Sequence, residues 1–267
     1  MQLIDTHVHF DDSYPDDKNI QRSLENNVCR WIAVGGDEKS NKCVLNAAIK
    51  YPQVISGVAI GMDRSVARKV FDINRIATKI ESSFSEAKNR KIRVCAIGEI
   101  GMDYYYDSEC KRAQIDLFDF QVDLAFKLNL PVIVHVRDAE TDVMGILKRN
   151  VKNIKLANFY PGVIHSFTGE YEFAEQVLDM GFFISFSGIL TFKNADRLRN
   201  TARKIPVDRM LIETDTPYLS PVPFRGKINE PAFLVKIAEK LAEIKKCSPE
   251  EIASATWNNA IKLFRLT

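Results

Sequence analysis

Four histidines occur in the 267-residue chain, and each closes an apolar, strand-like run: His7 and His9 in LIDTHVHF, His135 in PVIVHVRD and His165 in GVIHSFTG. Two carboxylates stand in the same kind of place, Glu99 in CAIGEIGMD and Asp215 in MLIETDTP. Imidazole is the commonest metal ligand near neutral pH. A carboxylate at the end of an apolar strand is costly unless it is paired or metal-bound. The i, i+2 spacing of His7 and His9 points both rings to one side of a strand. Asp5 faces that side too and is placed to orient a ligand, a support that ligating histidines commonly need. Four histidines and two carboxylates exceed what one tetrahedral ion takes, which points to two divalent cations. Glu99, bracketed by Gly98 and Gly101, is the natural shared ligand.

Such residues need elements that bring distant strand ends together. Eight β-branched or aromatic runs recur along the chain, at Leu3–Val8, Trp31–Gly35, Val54–Ile60, Val94–Ile100, Pro131–Val136, Gly162–Phe167, Phe182–Ser187 and Met210–Thr214. They are mostly continuous, as strands buried on both faces should be. Between them lie amphipathic segments at helical spacing: KSNKCVLNAAIKY, RKVFDINRIATKIESSFSEAKNR, CKRAQIDLFDFQVDLAFKLN, EYEFAEQVLDMG and NADRLRNTARKI. Strands alternating with helices imply parallel βαβ units. Eight of them favour a closed (β/α)8 barrel in one domain spanning residues 1–267, with an open doubly wound sheet as the lesser alternative. A barrel gathers its strand ends at one mouth, where active sites of this fold lie. The loops Phe10–Asn19, Met102–Ser108 and Thr216–Asn229 should overhang that mouth, and the tail PEEIASATWNNAIKLFRL reads as a closing helix pair.

Composition narrows the class. A formal net charge of +2 gives no global field for nucleic acid, although a local basic rim is compatible with it. With 46% hydrophobic residues, a sizeable core can be buried. Five cysteines without CxxC spacing argue against a disulfide framework and for a reducing compartment. Neither GxGxxG after the first strand nor GxxxxGK[ST] is present, which weakens nucleotide-binding readings. The chain shows no signal-peptide pattern and no apolar run of about 20 residues. The expectation is a cytoplasmic protein without membrane attachment or an obligate protein partner.

THVHF, IGEIGMDYYYD, VHVRDA, HSFTG and ETDTPYLSPVPFRGKINEP resemble, in order, the signature blocks of the TatD-type metal-dependent deoxyribonucleases, and NNAIKLF resembles that family's C-terminal helix. The blocks cover essentially the whole chain. GEIG-x-D and ETD-x-PYL-x-P are specific; His-x-His alone is not. The resemblance implies a TIM barrel of the metal-dependent hydrolase type and a 3′–5′ exonuclease acting on single-stranded or frayed DNA. It further implies that His7, His9 and Asp215 hold one metal, that His135 and His165 hold a second, and that Glu99 bridges them; imidazole and carboxylate together suit zinc, manganese, iron or, less well, magnesium. Val8 and Phe10 stand where the family often has Cys and Leu, which leaves the ligands untouched. Ile228 replaces a common basic residue and removes a phosphate contact.

On this reading, two cations about 3.5–4 Å apart clamp a phosphate oxygen and a water whose pKa falls from about 15.7 toward about 7. Asp215 accepts the water's proton, and Glu213, on the same side of the strand, orients the water or a ligand. Arg137, Arg225 and Lys227 are candidates to hold flanking phosphates, arginine forks being suited to them. Tyr104, Tyr105 and Tyr106 are candidates to stack on bases, with at least one expected to pack the loop instead; Phe10 and Tyr218 are similar cases. Hydrolysis of another ester or amide, such as removal of a D-amino acid from a charged tRNA, would use the same metal site. A Glu at position 99 disfavours enzymes that bridge their metals with a carboxylated lysine.

Overall fold

The computed structural model describes residues 1–63, 65, 67, 72–106, 108–152 and 159–266. Eight strands alternate with helices: β1 (Leu3–His9), β2 (Val28–Val34), β3 (Ile55–Ile60), β4 (Val94–Asp103), β5 (Val132–Arg137), β6 (Gly162–Ile164), β7 (Phe183–Phe186) and β8 (Met210–Ile212). The helices are α1 (Asp17–Glu25), α2 (Glu38–Lys50), α3 (Ile73–Asn89), α4 (Lys111–Lys127), α5 (Glu140–Val151), α6 (Tyr171–Asp179), α7 (Asp196–Lys204), α8 (Leu234–Lys245) and α9 (Pro249–Phe264). All seven sequential strand pairs are parallel, in the order β1 to β8. The barrel closes past the end of β8. There Asp215 N donates to His7 O at 3.1 Å, His9 N donates to Thr216 O at 3.1 Å, and Val8 bridges Thr216. The expected (β/α)8 barrel is thus the observed fold.

Local chemistry sets the helix starts. Asp16, Asp37 and Ser248 each form a capping box, in which the cap side chain accepts from the third helical residue and that residue's side chain accepts in return. Two apolar layers hold the barrel. Strand residues pack against helices in the larger cluster. A smaller one joins Ile4, Ile133, Val163, Phe183 and Leu211, near the strand starts, to Leu263 and Phe264 of α9. Each such fully buried side chain contributes about 1.5–3 kcal/mol. Helix α9 therefore shuts the end of the barrel opposite the mouth.

Several boundaries differ from expectation for identifiable reasons. The C-terminal tail is one helix, not a pair; its packing partner is α8 upstream. Helices α1, α5 and α8 were not among the expected segments. Strand β4 runs on to Asp103, because Gly101, Met102 and Asp103 pair with His135, Val136 and Arg137. Gly101 permits this with a φ of +140°; a Cβ there would stand 2.0 Å from His135 O. Strands β6 and β8 end early, because Ser166 (φ 43°) and Asp215 (φ 59°) turn the chain out of the ladder. The first four residues of the expected segment RKVFDINRIATKIESSFSEAKNR lie outside the described residues, and Asp72 caps α3. Asp107, within the expected Met102–Ser108 loop, is also outside them.

Candidate metal centre

The six expected ligands converge toward the barrel mouth: His7 and His9 on β1, Glu99 within β4, His135 on β5, and His165 and Asp215 just beyond β6 and β8. The Glu99 carboxylate lies between two imidazole pairs. Its Oε2 is 3.5 Å from both His7 Nε2 and His9 Nε2. Its Oε1 is 3.1 Å from His135 Nδ1 and 3.3 Å from His165 Nε2. Within each pair the ring nitrogens nearly touch, His7 Nε2 to His9 Nε2 at 3.1 Å and His135 Nδ1 to His165 Nε2 at 3.2 Å. Asp215 Oδ1 completes the first group, 3.4 Å from His9 Nε2 and 3.8 Å from His7 Nε2.

These separations fit metal ligation. Donors bound to one ion at about 2.0–2.2 Å lie about 3–3.5 Å from one another, the range seen here for every quoted pair except His7 and Asp215 at 3.8 Å. His7, His9 and Asp215 each offer one donor atom within 4.8 Å of the others, and so do His7, Glu99 and His165. The first set is the expected one. The second reflects the position of His7, whose ring stacks on His165 with centroids 4.2 Å apart. The donor set of imidazole nitrogen and carboxylate oxygen suits zinc or manganese well.

A second layer fixes the rings. Asp103 Oδ2 lies 3.2 Å from His135 Nε2, so that nitrogen carries the proton and Nδ1 faces Glu99. Glu213 Oε1 accepts from His165 Nδ1 at 3.1 Å and from Ser166 N at 2.7 Å. Val34 O lies 3.3 Å from His9 Nδ1. Of the two roles expected for Glu213, ligand orientation is the one its contacts match; it stands behind His165, and its place among the residues that handle water is corrected. Asp5 is corrected too. It touches no ring but accepts from Thr214 N (2.9 Å), Thr214 Oγ1 (2.6 Å) and His7 N (3.3 Å), bracing β1 against the end of β8. Asp103 was missed among the site residues, although its signal stood in the GEIG-x-D block: four residues after Glu99, on the same face of a strand.

Electrostatics follow from burial and these neighbours. Burial alone would raise Glu99, but the facing His165, His135 and His7 hold its carboxyl well below the usual range. Burial opposes charge on His9, His135 and His165 as well, yet the carboxylates around them outweigh it and lift all three above an ordinary imidazole. His7 goes down, through burial and the neighbouring His165. Burial would also raise Asp215, but the histidines keep it low and ionised. Burial pushes the Asp5 carboxyl up to about 8.

An open cleft of about 380 Å³ gives access, lined by His9, Glu99, His135, His165 and Asp215 together with Phe10, Tyr14 and Tyr218. Asn229 Nδ2 donates to Thr214 O (2.8 Å) and Tyr218 O (2.5 Å), and the Tyr14 hydroxyl donates to Asn229 O, so the loops after β1 and β8 are tied over one side. Tyr218 is 61% exposed and edge-on to His9. Phe10 is buried against Trp31. The expected substrate contacts divide. Tyr104 is corrected: its hydroxyl donates to Asp142 Oδ2 at 2.6 Å and its ring packs on the core, so it anchors the loop. Tyr105 and Tyr106 are exposed, with the Arg137 guanidinium over both. Arg225 lies over Phe192 at 3.8 Å, and Lys227 over Phe224 at 5.7 Å.

Residues 4–265 match the family described as TatD related DNase. The chain is 38% identical over 267 residues to the uncharacterized metal-dependent hydrolase YabD of Bacillus subtilis, covering 99% of each. It is also 38% identical over 277 residues to the uncharacterized metal-dependent hydrolase BU355 of Buchnera aphidicola, covering 100% of each. Among solved structures, YjjV, a TatD homologue from Escherichia coli, matches with a TM-score of 0.87 at 29% identity, over 99% of this chain and 98% of that one.

Proposed function

The chain belongs to the TatD-related DNase family of metal-dependent hydrolases, and from that premise we propose that it cleaves DNA phosphodiester bonds with two divalent cations, as a 3′–5′ exonuclease on single-stranded or frayed ends. One observation carries the reading: the two oxygens of Glu99 face two different imidazole pairs. A site for one ion needs no such division. His7, His9 and Asp215 would hold one cation, His135 and His165 the other, and Glu99 both. Cations so bound supply Lewis-acid polarisation of the ester and lower the pKa of an attacking water toward neutrality.

The remaining work falls to this chain's side chains. Asp215, ionised at neutral pH and open to the cleft, accepts the proton of the attacking water. Asp103 and Glu213 hold His135 and His165 in one tautomer, so each presents its free lone pair inward. The cleft's polar wall and open mouth suit the end of a polymer entering from solvent.

End-labelled single-stranded DNA offered to metal-stripped protein, with Mg2+, Mn2+ or Zn2+ restored separately, tests this. Stepwise shortening with at least one ion is expected. In Glu99→Gln it should fall by more than about 100-fold, beyond the 10–100-fold that a ligand's supporting partner costs. No cleavage with any of the three ions, from protein shown to bind two, would overturn the phosphodiester reading and turn the search to other esters, a charged tRNA among them.

A further inference from the structure

Beside the cleft, on its His135 side, the rim carries a group that the metal centre does not use. Arg137 ends β5 two residues past His135, about 7 Å further along the strand. Its guanidinium lies 3.9 Å from the Tyr105 ring centroid and 4.8 Å from that of Tyr106. The two rings meet edge to face at 4.8 Å. Both tyrosines remain 61% and 59% exposed, respectively. The backbone beneath is fixed: Arg137 pairs with Asp103, Tyr104 N donates to Arg137 O at 2.9 Å, and Tyr106 N donates to Asp103 Oδ1 at 3.0 Å. The same Asp103 carboxylate holds His135. The platform therefore shares Asp103 with His135, one ring of the second imidazole pair.

Two features point to a ligand. Arg137 is half-buried, yet among the described residues its guanidinium makes ring contacts only, and its N–H edges meet no carboxylate. A planar fork of donors held in this way suits a phosphate. With the guanidinium on one face of Tyr105, the exposed remainder of the pair offers flat aromatic surface on which a base can stack. We propose that Arg137, Tyr105 and Tyr106 form a nucleotide subsite next to the cleavage centre, Arg137 taking a backbone phosphate and the tyrosines an unstacked base. The subsite rests on the DNA reading above and refines it. The favoured substrate presents a single-stranded base beside the scissile bond, and stacking selects polymer ends over small esters.

Binding is measured by fluorescence anisotropy with metal-loaded protein and two labelled octamers that resist cleavage, a phosphorothioate octathymidylate and a phosphorothioate octamer of abasic units. The wild type should prefer the base-bearing octamer by about 5- to 150-fold, the reach of one stacked base. Replacing both tyrosines (Tyr105→Ala with Tyr106→Ala) should bring the two affinities together, whereas Tyr105→Phe, which keeps the ring, should retain the preference. Arg137→Gln should reduce the slope of log affinity against log salt by about 0.7, one single-strand phosphate contact. Equal wild-type binding of the two octamers, or an unchanged slope in Arg137→Gln, overturns the subsite. Incubating the wild type with an ordinary octathymidylate separates the two readings. Base preference without cleavage supports the subsite and overturns phosphodiester hydrolysis; cleavage without base preference overturns the subsite alone.

Discussion

Asp103 shows how much a single carboxylate can govern at the residue scale. It is fully buried, joins His135 Nε2 to the Tyr106 amide, and thereby couples a ring of the candidate metal centre to the rim loop. Asp103→Asn keeps the size but offers its amide nitrogen or a weaker acceptor to the ring. Metal content after dialysis against a chelator should show one ion held about 10–100-fold more weakly, and retention of both ions at wild-type affinity would remove Asp103 from the site. Asp215→Asn would remove a proposed base together with a proposed ligand; assayed at cation concentrations that restore two bound ions, it should lower kcat far more than it raises KM, and a change confined to KM would exclude Asp215 as the base. Residue type and placement on apolar strands single out the six side chains that the fold brings together at the barrel mouth. The roles of Asp5 and Glu213 were less legible. Period-two spacing tells which side a carboxylate faces but not whether it meets a ring, a backbone amide or a water. Tyr104, Tyr105 and Tyr106 look alike in sequence and part company only when Asp142 on α5 claims the first hydroxyl.

At the scale of elements, apolar continuity exposed the eight strands because each is covered on both faces. Helices α1 and α5 were obscure, since α1 is largely polar and α5 carries Gly145 in mid-helix. The ends of β6 and β8 were misjudged for a physical reason: Ser166 and Asp215 take a left-handed backbone, and nothing in an apolar run announces it. The β4–β5 pair is the element on which the site depends most. Gly101 lets the two strands run together past Glu99 and His135, and a side chain there meets His135 O head-on. Gly101→Ala should therefore lower stability by at least about 2 kcal/mol, combining positive φ with a backbone clash. It should also weaken metal retention, because the strand that carries His135 is the one displaced. A urea midpoint within error of the wild type would show that the pair can relax at no cost.

For the molecule as a whole, the charge gathered in the barrel mouth ties stability to pH and to the cations together. In metal-stripped protein His9, His135 and His165 stay protonated above the ordinary imidazole range. Their contribution to stability is complete below pH 6.5 and is lost as pH rises through their raised folded values. Glu99 and Asp215, held low, contribute above their ordinary values of 4.5 and 3.8, and that contribution is lost as pH falls through the depressed ones. Asp5, raised to about 8, costs stability as pH climbs from 3.8 toward 8. His7, held low by burial, acts the other way below 6.5 and only blunts the acid side. The stripped protein should thus be most stable in mild acid and weaken from pH 6.5 to 8.5. Cations reverse that trend, because they bind only deprotonated nitrogen and their affinity rises as protons leave. Each proton displaced adds about 1.4 kcal/mol per pH unit, or about 3–5 °C in a chain of this size. The Tm gap between metal-loaded and stripped protein, measured at pH 5.5, 7.0 and 8.5, should widen at each step. A gap that narrows would mean that the imidazoles do not give up protons to a cation, and the metal centre would have to be assigned elsewhere.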